Sequence, residues 1–354
     1  MTTTTMSYNS TQDVQDLVKD LIMHNDSDVF DNDTDEDLCQ DEEMPDFMSY
    51  AKAVDIFGCV LIAMAGLFIM VIMFMFLDTL RHVLKNTTSR AKTPTSIIIS
   101  VYPVVALVTF CAILVPRAHL LSETAAQAMF MCAMYHLFCM FIAYCGGEAE
   151  LIRKAGVETL QLKAHPCCCW PCCVILPRLA VSKKNLRILR LMVLQLPIVH
   201  GIFYLFLLVV WAEYQNPYQV NVAYFQLITL TSIFTGIWSL TILINLMQKV
   251  LGPKGYALNG KFIALQLVPI SAQLLGVITR VLVMADLLPC HPPITPTVFA
   301  SLLYNCLLIT EMMVLSVWTR TLYKRRLPDN DAAGMQNGDP FNGIPKGEIF
   351  DTHL

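Results

Sequence analysis

Five cysteines fall within seven residues, in a basic segment between two long apolar stretches. They are Cys167, Cys168, Cys169, Cys172 and Cys173. Thiols beside a membrane and close to Lys and Arg are sites of fatty acylation. The Cys169-x-x-Cys172 spacing also suits half of a zinc site, but no second ligand pair follows it. A disulfide is disfavoured in a reducing compartment, so acylation is the favoured interpretation, with metal binding and plain thiols left open.

Polar side chains interrupt the last two apolar stretches. They are Gln266, Gln273, Arg280, Tyr304, Asn305 and Glu311. The first three are seven residues apart, as are Tyr304 and Glu311, so each set shares a helical face. Ionisable residues in lipid are costly, which makes these side chains candidate substrate contacts, with Arg280 attracting an anion. The alternative is interhelical hydrogen bonding and an Arg that reaches outward to water.

Depth along the helices refines this expectation. At 1.5 Å per residue, Glu311 lies ~21 Å and Gln273 ~18 Å from the outer ends of their helices. We therefore expect these two side chains to meet. Arg280 lies only ~7 Å deep, so a direct pair between Arg280 and Glu311 is not expected.

The composition indicates that the elements carrying these residues lie in lipid. Of the 354 residues, 55% are hydrophobic and only 15% are charged, and the mean hydropathy is +0.55. A soluble domain of this size needs a more polar surface. Seven segments are long enough to cross a bilayer as helices, and they run over residues 54–77, 96–115, 125–145, 191–211, 222–247, 262–285 and 297–318. The sequence thus predicts an all-α membrane protein with seven transmembrane helices.

Basic residues set the predicted orientation. The first, third and fifth connections and the C-terminal flank are rich in Lys and Arg, whereas the second, fourth and sixth contain only Arg117. By the positive-inside rule the N-terminus is extracellular and the C-terminus cytoplasmic. Residues 146–190 are then a cytosolic cysteine-rich loop, and residues 319–354 a disordered cytosolic tail. In the fifth segment Gly236 and the small residues around it predict close helix packing.

The N-terminal tail, residues 1–53, carries fourteen Asp and Glu in its first fifty residues against the single basic Lys19. Its apolar residues between 14 and 22 have the spacing of a short amphipathic helix. Three acceptor sequons for N-glycans, at Asn9, Asn25 and Asn32, agree with an extracellular tail. Cys39 and Cys290 are the predicted outer-side cysteines away from the spans, and they form a candidate disulfide. No catalytic residue, metal or cofactor is expected.

Several motifs together carry a resemblance to a known family. They are Val115-Pro116-Arg117, Gly146-Gly147-Glu148, the cysteine run, Gly260-Lys261-Phe262, Cys290 with Pro292-Pro293, Asn305-Cys306 with Glu311, and Thr319-Arg320. Over roughly residues 50–326 the chain resembles the alpha subunit of the organic solute transporter, a seven-span family related to the transmembrane 184 proteins. The resemblance implies facilitated, sodium-independent movement of bile acids, conjugated steroids and similar amphipathic anions.

The resemblance also implies a single-span beta subunit as partner, and delivery from the endoplasmic reticulum to the plasma membrane, on its basolateral side. Alpha–beta pairs could assemble further, and membrane lipids are expected around the chain. Nucleic acid is not expected as a partner. The resemblance also leaves open a paralogue with other cargo.

Two other functions share the seven-span topology. A G-protein-coupled receptor is disfavoured because the third span ends in Cys145-Gly146-Gly147-Glu148 and the seventh lacks Asn-Pro-x-x-Tyr. A zinc-dependent membrane hydrolase is disfavoured because His136 and His200 stand alone in separate spans.

Overall fold

A computed structural model of the chain describes residues 56–156, 158–162, 179–214, 222–252, 257–285, 287–288 and 296–325. Its helices in these ranges are α1 (Ile56–Asn86), α2 (Ser89–Ile99), α3 (Val101–Leu114), α4 (His119–Tyr144), α5 (Glu148–Ala155), α6 (Lys183–Tyr214), α7 (Val222–Leu251), α8 (Leu258–Met284) and α9 (Pro296–Tyr323). Two short strands, β1 (Thr159–Leu160) and β2 (Leu179–Ala180), pair antiparallel.

Seven stretches of the described helices are long and apolar enough to cross a membrane. They are α1, α2 together with α3, α4, α6, α7, α8 and α9. The second span is interrupted at Ser100, because Pro103 has no N–H to donate to the carbonyl of Ile99 and its ring crowds that turn. The prediction of an all-α membrane protein with seven transmembrane helices is confirmed.

Several helices extend beyond the apolar segments that predicted them. The predicted disordered tail was 319–354, but its first residues are helical, because α9 continues to Tyr323. The predicted loop, 146–190, likewise contains α5 and the beginning of α6 at Lys183. Apolar length marks only the part of a helix in hydrocarbon, and polar turns can continue past it into the headgroup region.

The third span, α4, forms the centre of the bundle. It packs along α2, α3 and α6, and Leu137, Phe138 and Phe141 near its end are almost completely buried. The last span, α9, packs along α1, α3 and α8, while α6 and α7 form a pair. The α8 helix packs along α9 but touches α4 and α7 only briefly within the described residues.

The pair α6–α7 is held by a close approach at Gly236. A Cβ atom at this position would lie 2.5–2.9 Å from three side-chain atoms of Leu196, closer than real Cβ contacts. Nearby, Gln195 Nε2 donates to Thr235 Oγ1 at 2.8 Å, and Ser239 Oγ donates to the carbonyl of Leu189 at 3.3 Å. The close packing that the small residues predicted is confirmed at Gly236.

Ion pairs gather at one end of the bundle, where α1, α4, α7 and α9 finish. Asp78 Oδ2 accepts from Arg320 Nε at 2.9 Å and from Lys324 Nζ at 2.6 Å, which ties the first span to the last. Arg190 Nη1 lies 3.3 Å from Glu148 Oε1, and both other guanidinium nitrogens of Arg190 donate to Tyr135. We call this the clasped end.

A two-glycine turn completes the clasped end. Gly146 and Gly147 have φ values of 92° and 117°, which side chains with a Cβ rarely adopt. Arg90 Nη1 donates to the Gly146 carbonyl at 2.6 Å. The turn therefore joins α4 to α5 and also links the second span to the third.

Candidate functional site

The candidate site centres on Tyr304 in α9. Tyr304 lies within electrostatic reach of Glu123 in α4, Arg280 in α8 and Glu311 in its own helix. Tyr204 of α6 also lies near Glu123. Four helices thus direct polar side chains to one region of the bundle. We call these five residues the Tyr304 cluster.

The tyrosine ring rests against the backbone of α8. A Cβ atom built on Gly276 would be 3.9 Å from Cε2 of Tyr304. Arg280 follows Gly276 by one helical turn, so its side chain leaves α8 on the same side as the Tyr304 ring. Of the predicted substrate contacts, the structure therefore places Arg280 and Glu311 each within electrostatic reach of Tyr304.

Glu311 meets Ser271 of α8, and the expected contact with Gln273 is not found. Ser271 is the α8 side chain that interacts with the Glu311 carboxyl, whereas Gln273 is exposed on another side of α8. The depth argument itself points to this residue, because Ser271 lies two positions deeper than Gln273, at ~21 Å, level with Glu311. One carboxyl oxygen, Oε2, is buried without a hydrogen-bond partner.

Two further predicted residues bond elsewhere. Gln266 Nε2 donates to the thioether sulfur of Met134 in α4 at 3.6 Å, and sulfur is a weak acceptor. Asn305 is buried and donates to Ser301 Oγ at 3.4 Å within α9. Its neighbour Cys306 faces the carbonyl of Leu61 in α1 at 3.9 Å. The side of α9 that carries Asn305 and Cys306 therefore serves packing in the described structure.

Sequence reasoning missed Glu123 and Tyr204. Glu123 fell just outside the predicted third segment, which began at residue 125, whereas α4 begins at His119. A carboxylate in the first turns of a spanning helix was the available signal. Tyr204 gave no signal, because a single tyrosine in an apolar helix is common.

An exposed apolar surface surrounds Arg280. Leu274, Val277, Ile278 and Val281 on α8 are all among the exposed large apolar side chains. Arg280 is exposed as well and makes no ion pair within the described residues. The arrangement offers one cation on an apolar wall. Such a surface suits a molecule with a rigid apolar body and one anionic group.

Several predicted sites lie outside the described residues. They are the cysteines Cys167, Cys168, Cys169, Cys172 and Cys173, the sequon residues Asn9, Asn25 and Asn32, and the pair Cys39 and Cys290. The two arms that lead to the cysteine run are described. They are joined by the β1–β2 pair, and Trp238 Nε1 of α7 donates to the carbonyl of Leu162 at 3.1 Å. The indole therefore holds one arm against the fifth span.

Histidines and cysteines do not converge in the described ranges. No group of three or more His, Cys, Asp or Glu side chains that could hold a metal ion occurs there. His200 is buried and stacks on Tyr204 at 6.4 Å between ring centroids. His136 has an edge contact with Tyr135 at 5.7 Å. Both histidines have aromatic neighbours in their own helices.

Comparison with known proteins gives a consistent result. The family described as "Organic solute transporter Ostalpha" matches residues 60–327. The organic solute transporter subunit alpha of Danio rerio is 25% identical over 298 residues, which cover 82% of this chain and 90% of that protein. The organic solute transporter alpha-like protein of Drosophila melanogaster is 26% identical over 285 residues, covering 79% and 84%.

A third relative is more similar over a shorter range. The organic solute transporter alpha-like protein 2 of Caenorhabditis elegans is 30% identical over 151 residues, which cover 42% of this chain and 43% of that protein. No solved structure matches.

Proposed function

The chain belongs to the organic solute transporter Ostalpha family, and from that premise we propose that it carries amphipathic organic anions across the plasma membrane. The movement is facilitated and independent of sodium. Bile acids and conjugated steroids are the substrate class, because each joins a rigid apolar body to one anionic group. We propose transport and not catalysis as the activity of this multi-pass membrane protein.

One observation carries the proposal, namely that Arg280 lies on the exposed apolar face of α8 and has no ion-pair partner among the described residues. The steroid body would lie against side chains such as Val277 and Val281, and its anion would meet the guanidinium. An apolar ligand in such a position keeps its body out of water while its charge keeps an ionic partner. An apolar helix without a cation would meet only the first of these requirements, because it would leave the anion without an ionic partner.

The Tyr304 cluster extends this path toward the middle of the bundle. Tyr304 can donate its phenolic proton to an anion that leaves Arg280, since its ring already lies beside that residue. Glu123 limits how long an anion stays, because like charges repel. The sequence contains no nucleotide-binding motif, so the driving force is the concentration gradient of the substrate.

A single-span beta subunit is the proposed partner, and the names of the relatives, "subunit alpha", support a multi-subunit assembly. We propose that the partner stabilises the chain and delivers it to the basolateral plasma membrane, with pairs able to assemble further. We also propose the orientation that the basic residues predict, with the N-terminal tail extracellular and glycosylated at Asn9, Asn25 and Asn32. A Cys39–Cys290 disulfide would tie that tail to the sixth connection.

Acylation of the cysteine run completes the proposal. The arms of that loop are held together by the β1–β2 pair and tied to α7 through Trp238. Lys183, Lys184 and Arg187, at the start of α6, are exposed nearby and would attract anionic lipid. Each buried CH₂ of an acyl chain contributes ~0.8 kcal/mol, so several chains would hold the loop on the inner leaflet.

The test is uptake of a labelled sulfated steroid by cells that express the chain with and without a beta partner. We expect uptake with the partner that is unchanged when sodium is replaced. Arg280→Gln should raise the KM about tenfold, because one ionic contact of ~1.4 kcal/mol is a tenfold change. Arg81→Gln, which changes an exposed arginine of α1 that has no ion pair among the described residues, is the matched control and should leave the KM unchanged. Absence of uptake despite surface expression of both chains would refute the proposal.

A further inference from the structure

Lys261, in the first turns of α8, is a buried cation enclosed by aromatic rings. Only 5% of its surface is exposed. Its Nζ donates to Tyr144 Oη at 2.9 Å, and it lies 4.6 Å from the centroid of the Tyr144 ring and 4.8 Å from that of Tyr323. Tyr102 lies beside Tyr323, and its hydroxyl donates to the carbonyl of Ala264 at 3.2 Å. We call these four residues the lysine cage.

The cage leaves the ammonium short of partners. An ammonium has three N–H donors, and among the described residues Nζ makes one hydrogen bond. No carboxylate of the described residues lies within ion-pair distance of Lys261. Ring faces stabilise a desolvated ammonium, but a buried charge normally also has a counter-ion. The beginning of a helix is also its positive end, which adds to the deficit of negative charge.

A second polar group beside the cage is unsatisfied. Thr319 Oγ1 is buried and interacts with the Tyr102 hydroxyl, but it makes no hydrogen bond of normal geometry within the described residues. Thr319 precedes Tyr323 by one turn of α9, so both side chains point the same way. Within the described part of the chain, two ammonium donors of Lys261 without acceptors and the weakly bonded hydroxyl of Thr319 therefore occur together at the clasped end.

The walls of the cage belong to helix ends. Tyr144 is the last residue of α4 and Tyr323 is the last residue of α9. Terminal turns fray more easily than helix interiors, so these two rings can turn aside without unfolding a span. Lys261 and Arg280 are nineteen residues apart on α8, or ~28 Å, which is close to the thickness of the hydrocarbon core.

We propose that Lys261 is a second binding station for the anionic group of the transported substrate, at the opposite membrane face from Arg280. This inference rests on the proposed function. The carboxylate or sulfate takes the place of the Tyr144 hydroxyl on the ammonium and accepts from Thr319. Between passages the tyrosine rings close over the ammonium and shield its charge from lipid.

The experiment measures the KM for a sulfated steroid separately from each side, in right-side-out and inside-out vesicles carrying the complete complex. Lys261→Met should raise the KM at the cytosolic side about tenfold and leave the KM at the outer side near wild type. Lys261→Arg should keep most of the affinity. Lys249→Met, which removes an exposed lysine paired with Glu158 at the same end, is the matched control.

Tyr144→Phe separates binding from packing. It keeps the ring over Lys261 but removes the hydroxyl that competes with the anion, so the cytosolic KM should fall. If Lys261 has only a structural role, Tyr144→Phe should leave the cytosolic KM unchanged or should lower the amount of folded protein. This variant also carries the test if Lys261→Met fails to reach the membrane.

Two results would overturn the inference: an unchanged cytosolic KM in Tyr144→Phe, or equal changes on both sides in Lys261→Met. The outcome for the proposed function is read separately, from thermal stabilisation of the purified complex by the same steroid. If the wild-type complex transports no anion, but the steroid stabilises it and does not stabilise Lys261→Met, then binding at Lys261 is supported and the transport function is refuted. If wild type carries the anion and Lys261→Met behaves like it, only the station fails.

Discussion

The contact between Gly236 of α7 and Leu196 of α6 permits a quantitative test of the packing. Leu196 is 1% exposed, and a Cβ on Gly236 would come within 2.5 Å of its Cδ1. Gly236→Ala therefore adds one methyl group where there is no space for it. Gly201, also in α6, has no atom within 4 Å of the corresponding Cβ position, so Gly201→Ala is the same change in open space.

The expected difference follows from two opposing effects. Ala is favoured over Gly within a helix by ~1 kcal/mol, and this gain applies to both variants. Overpacking costs ~1–3 kcal/mol and applies only to Gly236→Ala. The helix term cancels between the two variants, so Gly236→Ala should be less stable than Gly201→Ala by ~1–3 kcal/mol. In a chain of this size that lowers Tm by ~1–4 °C relative to Gly201→Ala.

The assay is thermal unfolding of the purified complex in detergent, read from the loss of monodisperse protein. Leu196→Ala alone should cost ~2–5 kcal/mol because it leaves a cavity. The double variant Leu196→Ala/Gly236→Ala should be more stable than the sum of the single effects, since the new methyl group then enters that cavity. A coupling of ~1–3 kcal/mol is expected.

A clear result would refute this reasoning. If Gly236→Ala unfolds at the same temperature as Gly201→Ala, α6 and α7 do not approach closely at this point. Strict additivity in the double variant would give the same conclusion, because it would mean that the two positions do not share space.

Three further predictions concern charge and hydrogen bonding. Asp78→Asn should lower Tm, because two cations including Arg320 lose their carboxylate, and the difference from wild type should shrink as salt rises; a salt-independent difference would contradict the ionic explanation. Glu123→Gln should lower the uptake KM for a sulfated steroid about two- to tenfold, because a repelling charge beside Tyr304 is removed, and an unchanged KM would separate Glu123 from the substrate path. Trp238→Phe should reduce acylation of the cysteine run, measured by acyl-exchange mass tagging, because the arm at Leu162 loses its hydrogen bond to α7; equal acylation at equal surface expression would contradict this role.

The features that follow from hydrophobic length were predictable from sequence. Each spanning helix needs about twenty apolar residues, and that requirement gave the seven spans and their helical state. The close packing at Gly236 followed from the same logic, because small residues on one face allow two backbones to approach. The ends of the helices were not predictable in this way. The second span begins at Ser89, well before its apolar part, in a turn where Arg90 reaches the carbonyl of Gly146.

The candidate site was only partly predictable. Depth along two helices correctly placed Glu311 beside the lower part of α8, but heptad spacing selected Gln273 where the structure has Ser271. Spacing gives the relative angle of residues on one helix, and the rotation of that helix against its neighbour depends on packing elsewhere. The burial of Lys261 gave no sequence signal for the same reason, because a lysine at the edge of an apolar segment normally extends into water.

The distribution of ion pairs gives the two faces of this bundle different responses to ionic strength. All the ion pairs of the described residues lie at the clasped end, and their side chains are partly exposed, so dissolved salt reaches and screens them. The region around Tyr304, away from the clasped end, contains no ion pair among the described residues, so its packing should change less with salt. High salt therefore weakens the contacts at the clasped end selectively. Samples purified in low-salt and high-salt buffers should differ in how tightly the helices pack at that end.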